Sequence, residues 1–335
     1  MGIALKLIYT VAVFFVMMAP GIIMKKTKLS TEGFGKGLSN LVLYVAQPAL
    51  ILRSYLRTFD SKILLNILYV AVFAAIAHVI FTGIAKACFK KSPDNMRRML
   101  RFATIFSNAA FMGMPLIESV LGGEALIYAS IYNIIFNLWL WSVGVRICTD
   151  GKDIDGDGID DGAKIRKTDD VTVLKVLLNP TIVSAVIGLV CFFLSLDPGS
   201  SYSELPVYSK FAVEILDSLK ALVAPLSMVV LGLRLAEIDF RGFFKQKDLY
   251  VFLALRHVVL PVLVFAVMRV FAIAVDVHID VITTVIIMAS APAATSATMF
   301  AEKYDCDAAY VSKLVVVSTI LSILTMPLIS LLALI

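Results

Sequence analysis

The chain has 335 residues, of which 60 % are hydrophobic and 16 % are charged. Soluble domains are about half apolar and about a quarter charged, so this composition, with a mean hydropathy of +0.91, excludes a water-soluble globule. The formal net charge of +5 comes from cations spread over short loops, where they face anionic lipid headgroups, and it implies no nucleic-acid partner. The sequence therefore predicts an all-α polytopic membrane protein.

Ten apolar stretches are long enough to cross a bilayer, which takes about 20 helical residues. They cover 3–24, 38–57, 63–86, 100–121, 124–147, 173–196, 211–235, 249–275, 280–300 and 308–334. The first is too long for the apolar region of a signal peptide, and its basic residues follow it, so we expect it to be retained as a helix. The cysteines form no C-x-x-C pair, which favours packing roles over a disulfide framework or a zinc site.

The distribution of cations predicts the orientation, because Lys and Arg are held back on the cytoplasmic side during insertion. The connections after helices 1, 3, 5, 7 and 9 carry 23 of the 30 cations, including Arg234 and Arg256, and the opposite side carries 7. We therefore expect a multi-pass protein of the cell membrane with both termini outside and the 148–172 loop in the cytoplasm.

Four prolines near the middle of apolar stretches indicate an internal repeat. Pro48 and Pro115 are 67 residues apart, as are Pro225 and Pro292. This spacing predicts two five-helix repeats, 1–147 and 173–335, joined by a cytoplasmic acidic loop at 148–172. Because five is odd, the second repeat enters the membrane from the opposite face and is inverted, as in many transporters. The alternative is that the prolines only kink packed helices.

Helices 4 and 9 are predicted to be broken and to cross, because small and polar residues flank Pro115 and Pro292. Each break leaves a half-helix N-terminus in the membrane, whose free N–H groups carry partial positive charge and suit a carboxylate without a buried Arg or Lys. The candidate substrate-binding residues here are Asn108, Gly113, Pro115, Ser290, Pro292 and Thr295. Helix 5 adds Asn133 and Asn137 on one face, for which interhelical hydrogen bonding is the alternative.

Five segments resemble the auxin efflux carrier family, which includes plant PIN-FORMED transporters and microbial permeases. They are Ser107 to Pro115, Tyr132 to Asn137, Asn179-Pro180-Thr181, Pro225-Leu226-Ser227 with Leu231-Gly232, and Ser290 to Ala294. The resemblance implies ten helices in two inverted repeats, with a scaffold part and a transport part. It also implies that helices 4 and 9 cross at the substrate site, that the protein moves by an elevator-type mechanism, and that it often forms a dimer. Asn108 and the two crossing prolines match the family's substrate site, but the substrate does not carry over.

Coupling to a cation would need an ionisable residue inside the membrane. His78 in helix 3 and Glu118 at the end of helix 4 are the candidates, although a structural histidine and a water-facing carboxylate are the alternatives. No pair of carboxylates lies in mid-membrane. Proton coupling, sodium coupling and uniport therefore stay open.

The acidic loop contains a D-x-D-x-D-G-x-x-D pattern, in which oxygen ligands alternate as they do around calcium. The candidate calcium ligands are Asp153, Asp155, Asp157 and Asp161. Lys164 replaces the bidentate Glu of an EF-hand, so a solvated acidic linker is the alternative. We expect no other cofactor, and no enzyme activity, because neither a P-loop nor a nucleophile with its base is present.

The sequence thus predicts a secondary transporter of small organic anions, either auxin-like carboxylates or dicarboxylates, that binds its substrate where helices 4 and 9 cross. Two alternatives are kept. A sodium-coupled symporter of the bile-acid type shares inverted repeats and requires sodium. A membrane sensor or scaffold carries no flux at all.

Overall fold

The computed structural model describes residues 3–149, 178–198, 207–237 and 243–334, and the ordered elements in this part are helices. The helices of the first half are α1 (Ile3–Val16), α2 (Ala19–Lys26), α3 (Phe34–Leu41), α4 (Gln47–Tyr55), α5 (Ser61–Cys88), α6 (Asp94–Ile105), α7 (Met114–Leu121), α8 (Gly123–Trp139) and α9 (Val145–Thr149). Those of the second half are α10 (Pro180–Phe193), α11 (Val207–Lys220), α12 (Val223–Leu235), α13 (Lys247–Ala254), α14 (Leu260–Ala274), α15 (Ile279–Ser290), α16 (Ser296–Lys303) and α17 (Ala308–Ser330).

Six helical segments of the described chain are long and apolar enough to cross a membrane. They are Leu5–Lys26, Ser61–Cys88, Gly123–Thr149, Ser209–Leu235, Lys247–Ala274 and Ala308–Ser330, and shorter apolar helices cover Ala109–Leu121, Pro180–Phe193 and Ile279–Ser290. Many of their side chains are apolar and exposed, including Leu5, Tyr9, Val270 and Ile273. Because isolated soluble proteins rarely expose such continuous apolar surface, these faces fit lipid, and the prediction of a polytopic all-α membrane protein is confirmed.

Both predicted helix breaks are present. Helix α6 ends at Ile105, an extended segment follows, and a π-helical turn, Ala109–Gly113, leads into α7. In the second half, α15 ends at Ser290 and α16 begins at Ser296. Two short helices thus replace one continuous rod in each case, as the small residues and the prolines indicated.

The two prolines lie at different places relative to the half-helices that follow the breaks. Pro115 lies in the first turn of α7, and the helical path already starts six residues earlier, at Ala109 of the π turn. Pro292 lies within the extended break, and Thr295 is the N-cap of α16. The half-helices therefore begin at the small and polar residues rather than at the prolines.

The helices form two packed groups. In one, α4 packs against α10 and α11, and α2 packs against α12; in the other, the broken helices pack with α5, α8, α14 and α17. Within the first group, backbones approach each other closely at Gly21 of α2 and Gly232 of α12. Helix α1 contacts both groups.

Π-helical turns occur at Val42–Ala46, Ala109–Gly113, Leu140–Gly144 and Leu255–Val259. Such turns interrupt the regular hydrogen-bond ladder and are frequent at functional sites. The four calcium candidates, Asp153, Asp155, Asp157 and Asp161, lie outside the described residues, and the inverted relation between the two repeats stays a prediction.

Candidate substrate site

The two breaks meet back to back at a short antiparallel contact. Ser107 and Ala293 form an isolated β-bridge. The Asn108 N–H donates to Pro292 O at 2.7 Å, and the Ala294 N–H donates to Phe106 O at 2.9 Å. Extended backbone in a membrane must have its polar groups satisfied by protein, and here each break satisfies the other.

A cavity of about 190 Å³ lies beside this contact. It is lined on one side by residues of the first helix group and on the other by the breaks and α8. The lining residues are Ser39, Leu43, Tyr44, Gln47, Ser107, Asn108, Ala110, Phe111, Asn133, Phe136, Asn137, Leu140, Trp141, Asn179, Pro180, Thr181, Arg234, Ala294, Thr295, Ser296, Met299 and Phe300. The cavity therefore lies between the two groups and not within either.

Several polar atoms at this cavity are buried and have no hydrogen-bond partner among the described residues. The donors are Asn108 Nδ2 and the hydroxyl of Ser296; Asn133 Oδ1 and Gln47 Oε1 are acceptors. The residues Asn108 and Asn133 are 2 % and 3 % exposed, respectively. A buried polar group without a partner costs about 1–3 kcal/mol, so these atoms are available to hydrogen-bond a molecule held in the cavity.

Of the predicted substrate-binding residues, the structure brings Asn108, Asn133, Asn137 and Thr295 to the cavity wall. The other four, Gly113, Pro115, Ser290 and Pro292, are not among the lining residues. The Ser290 hydroxyl donates to Ile287 O within its own helix at 3.2 Å. These four residues shape the breaks, while the first four face the space that the breaks create.

Asn137 has both roles that the sequence left open. Its amide nitrogen donates to Asn133 O at 2.7 Å, and its Oδ1 accepts from the Asn179 amide at 3.3 Å. The other end of Asn179 caps α10 by accepting from the Thr181 N–H at 3.0 Å. Asn137 therefore links α8 to the first helix group while it lines the cavity.

Sequence reasoning missed two lining residues, Gln47 and Arg234. The Gln47 amide donates to Ala110 O at 2.5 Å, across from α4 to the π turn before α7. Arg234 lies in the last turn of α12, in agreement with its count as a loop cation, and it is also the one charged side chain among the described lining residues. A glutamine beside a mid-span proline was a usable signal, because polar side chains are rare in apolar helices.

Arg256 corrects one expectation, because the count of loop cations includes it and the structure buries it inside a helical segment. It is 0 % exposed and lies in the π turn between α13 and α14. Its guanidinium donates to Thr104 O at 3.0 Å, to Ala289 O at 2.8 Å, and to Ala291 O at 2.7 and 3.0 Å. These carbonyls belong to the ends of α6 and α15, so Arg256 joins the two half-helices where they enter the crossover.

The neighbouring His257 supports the same region through α17. Its Nε2 lies 2.9 Å from Ser318 Oγ, and its Nδ1 lies 2.9 Å from Thr325 Oγ1. Ser318 Oγ in turn accepts from the Ala293 N–H at 2.9 Å. A chain of polar contacts thus holds the second break from the side opposite the cavity.

The two coupling candidates lie apart from the cavity wall. His78 is fully buried, with Nδ1 2.7 Å from Ala74 O of its own helix, and its ring packs against Tyr132 at 5.4 Å between centroids. Glu118 Oε1 lies 3.6 Å from Lys220 Nζ, at a larger cavity of about 500 Å³ between the end of α4 and the start of α8. The cations there pair with carboxylates, as Arg57 does with Glu124 at 3.1 Å, so their charge is already compensated.

Comparison with known proteins identifies the family. The sequence model of a family described as membrane transport protein matches residues 6–330. The chain belongs to this family, the auxin efflux carriers. An uncharacterized transporter from Methanothermobacter thermautotrophicus is 26 % identical over 323 residues, which cover 95 % of this chain and 96 % of that protein.

Membership in the auxin efflux carrier family settles the general class of protein. Together with the apolar helices, it makes the chain a multi-pass membrane protein whose environment is lipid and whose substrate is a small molecule. The family and the archaeal relative are transporters, in agreement with the prediction that the chain is not an enzyme.

Proposed function

We propose that this protein is a secondary transporter of small organic anions, and that the carboxylate of the substrate binds at the crossover of the two broken helices. The observation that carries the proposal is the side-chain amide of Asn108. Its nitrogen is a buried donor without a described partner, at the N-terminal end of a half-helix and facing the cavity between the two helix groups.

The surroundings of Asn108 support an anionic substrate with an apolar part. Helix N-termini carry partial positive charge, and the π turn before α7 and the first turn of α16 both begin beside the cavity. Arg234 adds a full positive charge to the wall. Tyr44, Phe136 and Trp141 add aromatic surface to the wall. This surface suits the apolar body of an organic carboxylate, and a small inorganic ion would not need it.

The position of the cavity supports an elevator-type mechanism. One wall belongs to the group of α2, α4, α10 and α12, and the other to the group that contains the breaks. A sliding movement of the second group along the first would carry the bound anion across the membrane. In this proposal the two repeats are inverted, both termini are outside, the 148–172 loop is cytoplasmic, and the assembly is a homodimer.

The test is a thermal-shift screen of the purified chain against monocarboxylates, dicarboxylates and their neutral amides, followed by uptake into proteoliposomes. A ligand that binds only the folded state stabilises it by about 2.7 kcal/mol at one hundred times Kd. We expect carboxylates, and not the amides, to raise the melting temperature. Asn108→Ala should abolish this shift, because the variant loses an unpaired donor that only the ligand satisfies.

A matched control is available in Asn66, a second buried asparagine. Its amide nitrogen donates to Tyr128 OH at 3.0 Å, away from the cavity. Asn66→Ala should lower the melting temperature of the ligand-free protein and keep the carboxylate shift, the reverse of Asn108→Ala. An unchanged shift in Asn108→Ala would place the site elsewhere, and stable protein without flux of any carboxylate would favour the sensor alternative.

A further inference from the structure

Arg256 is a buried cation whose hydrogen bonds are to backbone rather than to a carboxylate. Its four hydrogen bonds go to the carbonyl oxygens of Thr104, Ala289 and Ala291. Among the described residues no ion pair joins it to Asp or Glu, and the ring of Phe81 lies 5.6 Å from its guanidinium carbon. Taking a charge out of water costs several kcal/mol, so this arrangement needs a compensating reason.

The carbonyls that Arg256 binds are the ones that a helix cannot satisfy by itself. Thr104 lies in the last turn of α6, Ala289 lies in the last turn of α15, and Ala291 is the C-cap of α15. Carbonyls at helix C-termini have no intrahelical partner, and together they carry about half a negative charge at each end. Two such ends therefore converge on one guanidinium.

The same kind of group binds the coupling ion in many secondary carriers. Where helices are broken in mid-membrane, unwound carbonyls and half-helix C-termini coordinate the co-transported cation. In this chain the N–H groups of Arg256 already occupy those oxygens at 2.7–3.0 Å. A sodium ion would have to displace a side chain that is tethered by its own helix.

We propose that Arg256 is a resident cation of the crossover: its guanidinium takes the place of a co-transported cation at the C-terminal ends of α6 and α15. The inference rests on the proposed function and deepens it, because it assigns anion transport that does not depend on sodium. Arg256 is a positioning residue, since it touches the breaks and not the cavity wall.

The charge balance at the crossover agrees with this role. The two half-helix N-termini and the two C-termini carry about half a unit charge each and cancel. Arg256 then leaves about one net positive charge at the crossover itself, in addition to that of Arg234 in the cavity wall, and both favour an anion. Without Arg256 the two negative helix ends would face each other and weaken the attraction for an anion.

The first measurement is uptake of the carboxylate by wild-type proteoliposomes in sodium and in choline buffers. We expect equal rates in the two buffers. A tenfold change in uptake rate corresponds to the free energy of about one charge-assisted hydrogen bond. A loss of about tenfold or more when sodium is removed would overturn the proposal, even if every Arg256 variant failed to fold.

The second measurement uses Arg256→Ala and, as a matched control, Arg269→Ala, which removes an exposed arginine of α14. Uptake by Arg256→Ala should fall by about tenfold or more, whereas Arg269→Ala should keep it. Guanidinium ion at millimolar concentration should raise the melting temperature of Arg256→Ala and not that of the control. Equal responses of the two variants, or full uptake by Arg256→Ala, would refute the role.

The readouts also separate this inference from the proposed function. If the wild type carries no carboxylate, the proposed function fails, while the guanidinium response of Arg256→Ala still tests whether a cation belongs at those carbonyls. If uptake is present but needs sodium, the transport proposal stands and the resident-cation proposal fails. Arg256→Lys keeps a charge with fewer and less directed donors, and should lie between wild type and Arg256→Ala in both measurements.

Discussion

The contact between α2 and α12 gives a prediction whose size follows from the backbone. A Cβ atom added at Gly232 would lie 2.1 Å from Met18 O and 2.9 Å from Met18 C. Ordinary contacts of such atoms begin near 3.4 Å, so Gly232→Ala has to push the two helices apart by roughly 1 Å. The Cβ position is fixed by the backbone of residue 232 and the Met18 atoms are main chain, so no side-chain rotation can relieve the clash. Overpacking of this kind costs about 1–3 kcal/mol, and we expect a destabilisation near the upper value.

The matched control is Gly83→Ala in α5, where nothing lies within 4 Å of the added methyl group. Alanine in a helix interior is favoured over glycine by about 0.5–1 kcal/mol, so this variant should be slightly more stable than the wild type. The assay is the free energy of unfolding in detergent, measured for both variants under the same conditions. Equal stability of Gly232→Ala and the wild type would refute the argument that backbones meet at this crossing. Because Arg234 follows two residues later, the same displacement should also weaken carboxylate binding.

Two further predictions concern orientation and the acidic loop. In a chain whose other cysteines are replaced by alanine, a membrane-impermeant maleimide should label Cys88 only from the cytoplasm, and Ser61→Cys, at the opposite end of α5, only from outside. The reverse pattern would refute the orientation derived from the loop cations. Calorimetry on the intact chain should detect calcium binding at millimolar concentration that Asp157→Asn removes, as oxygen ligands of a short loop would give. Absence of heat would identify 153–161 as a solvated linker.

The breaks could be predicted from sequence because their causes are local. Proline removes a backbone donor, and small residues allow close approach of two backbones. The segments around Asn108 and Pro292 can therefore be recognised within a single apolar stretch of the sequence. The start of each half-helix was less predictable, since it depends on the other break: Asn108 N–H donates to Pro292 O, and Ala294 N–H to Phe106 O. Those partners are about 185 residues apart in the chain, and no local pattern encodes them.

The burial of Arg256 was missed for a related reason. Counting cations assigns each Lys or Arg to its nearest loop, which is sound on average because a charge in lipid is costly. Arg256 is an exception because the carbonyls of Thr104, Ala289 and Ala291 converge on it only in the folded protein. Arg234 lies in the last turn of α12, and a count of loop cations does not show that it also lines a cavity. The sequence thus located the crossover. Only the tertiary structure showed that Arg256 contacts it and that Arg234 lines the cavity beside it.

The polar groups of the crossover lie on two faces, one away from the cavity and one toward it. The groups on the first face have partners in the protein, whereas several groups on the cavity face have none among the described residues. On the face away from the cavity, Arg256 satisfies the helix carbonyls and Ser318 accepts from the Ala293 N–H, so the breaks hold their shape without a ligand. On the cavity face, Asn108 Nδ2 and Asn133 Oδ1 have no described partner. Each unsatisfied group raises the free energy of the empty state by about 1–3 kcal/mol. In the proposed transporter, a carboxylate would relieve part of that cost at the donors without reordering the backbone, so the binding free energy would go into affinity rather than into assembling the site.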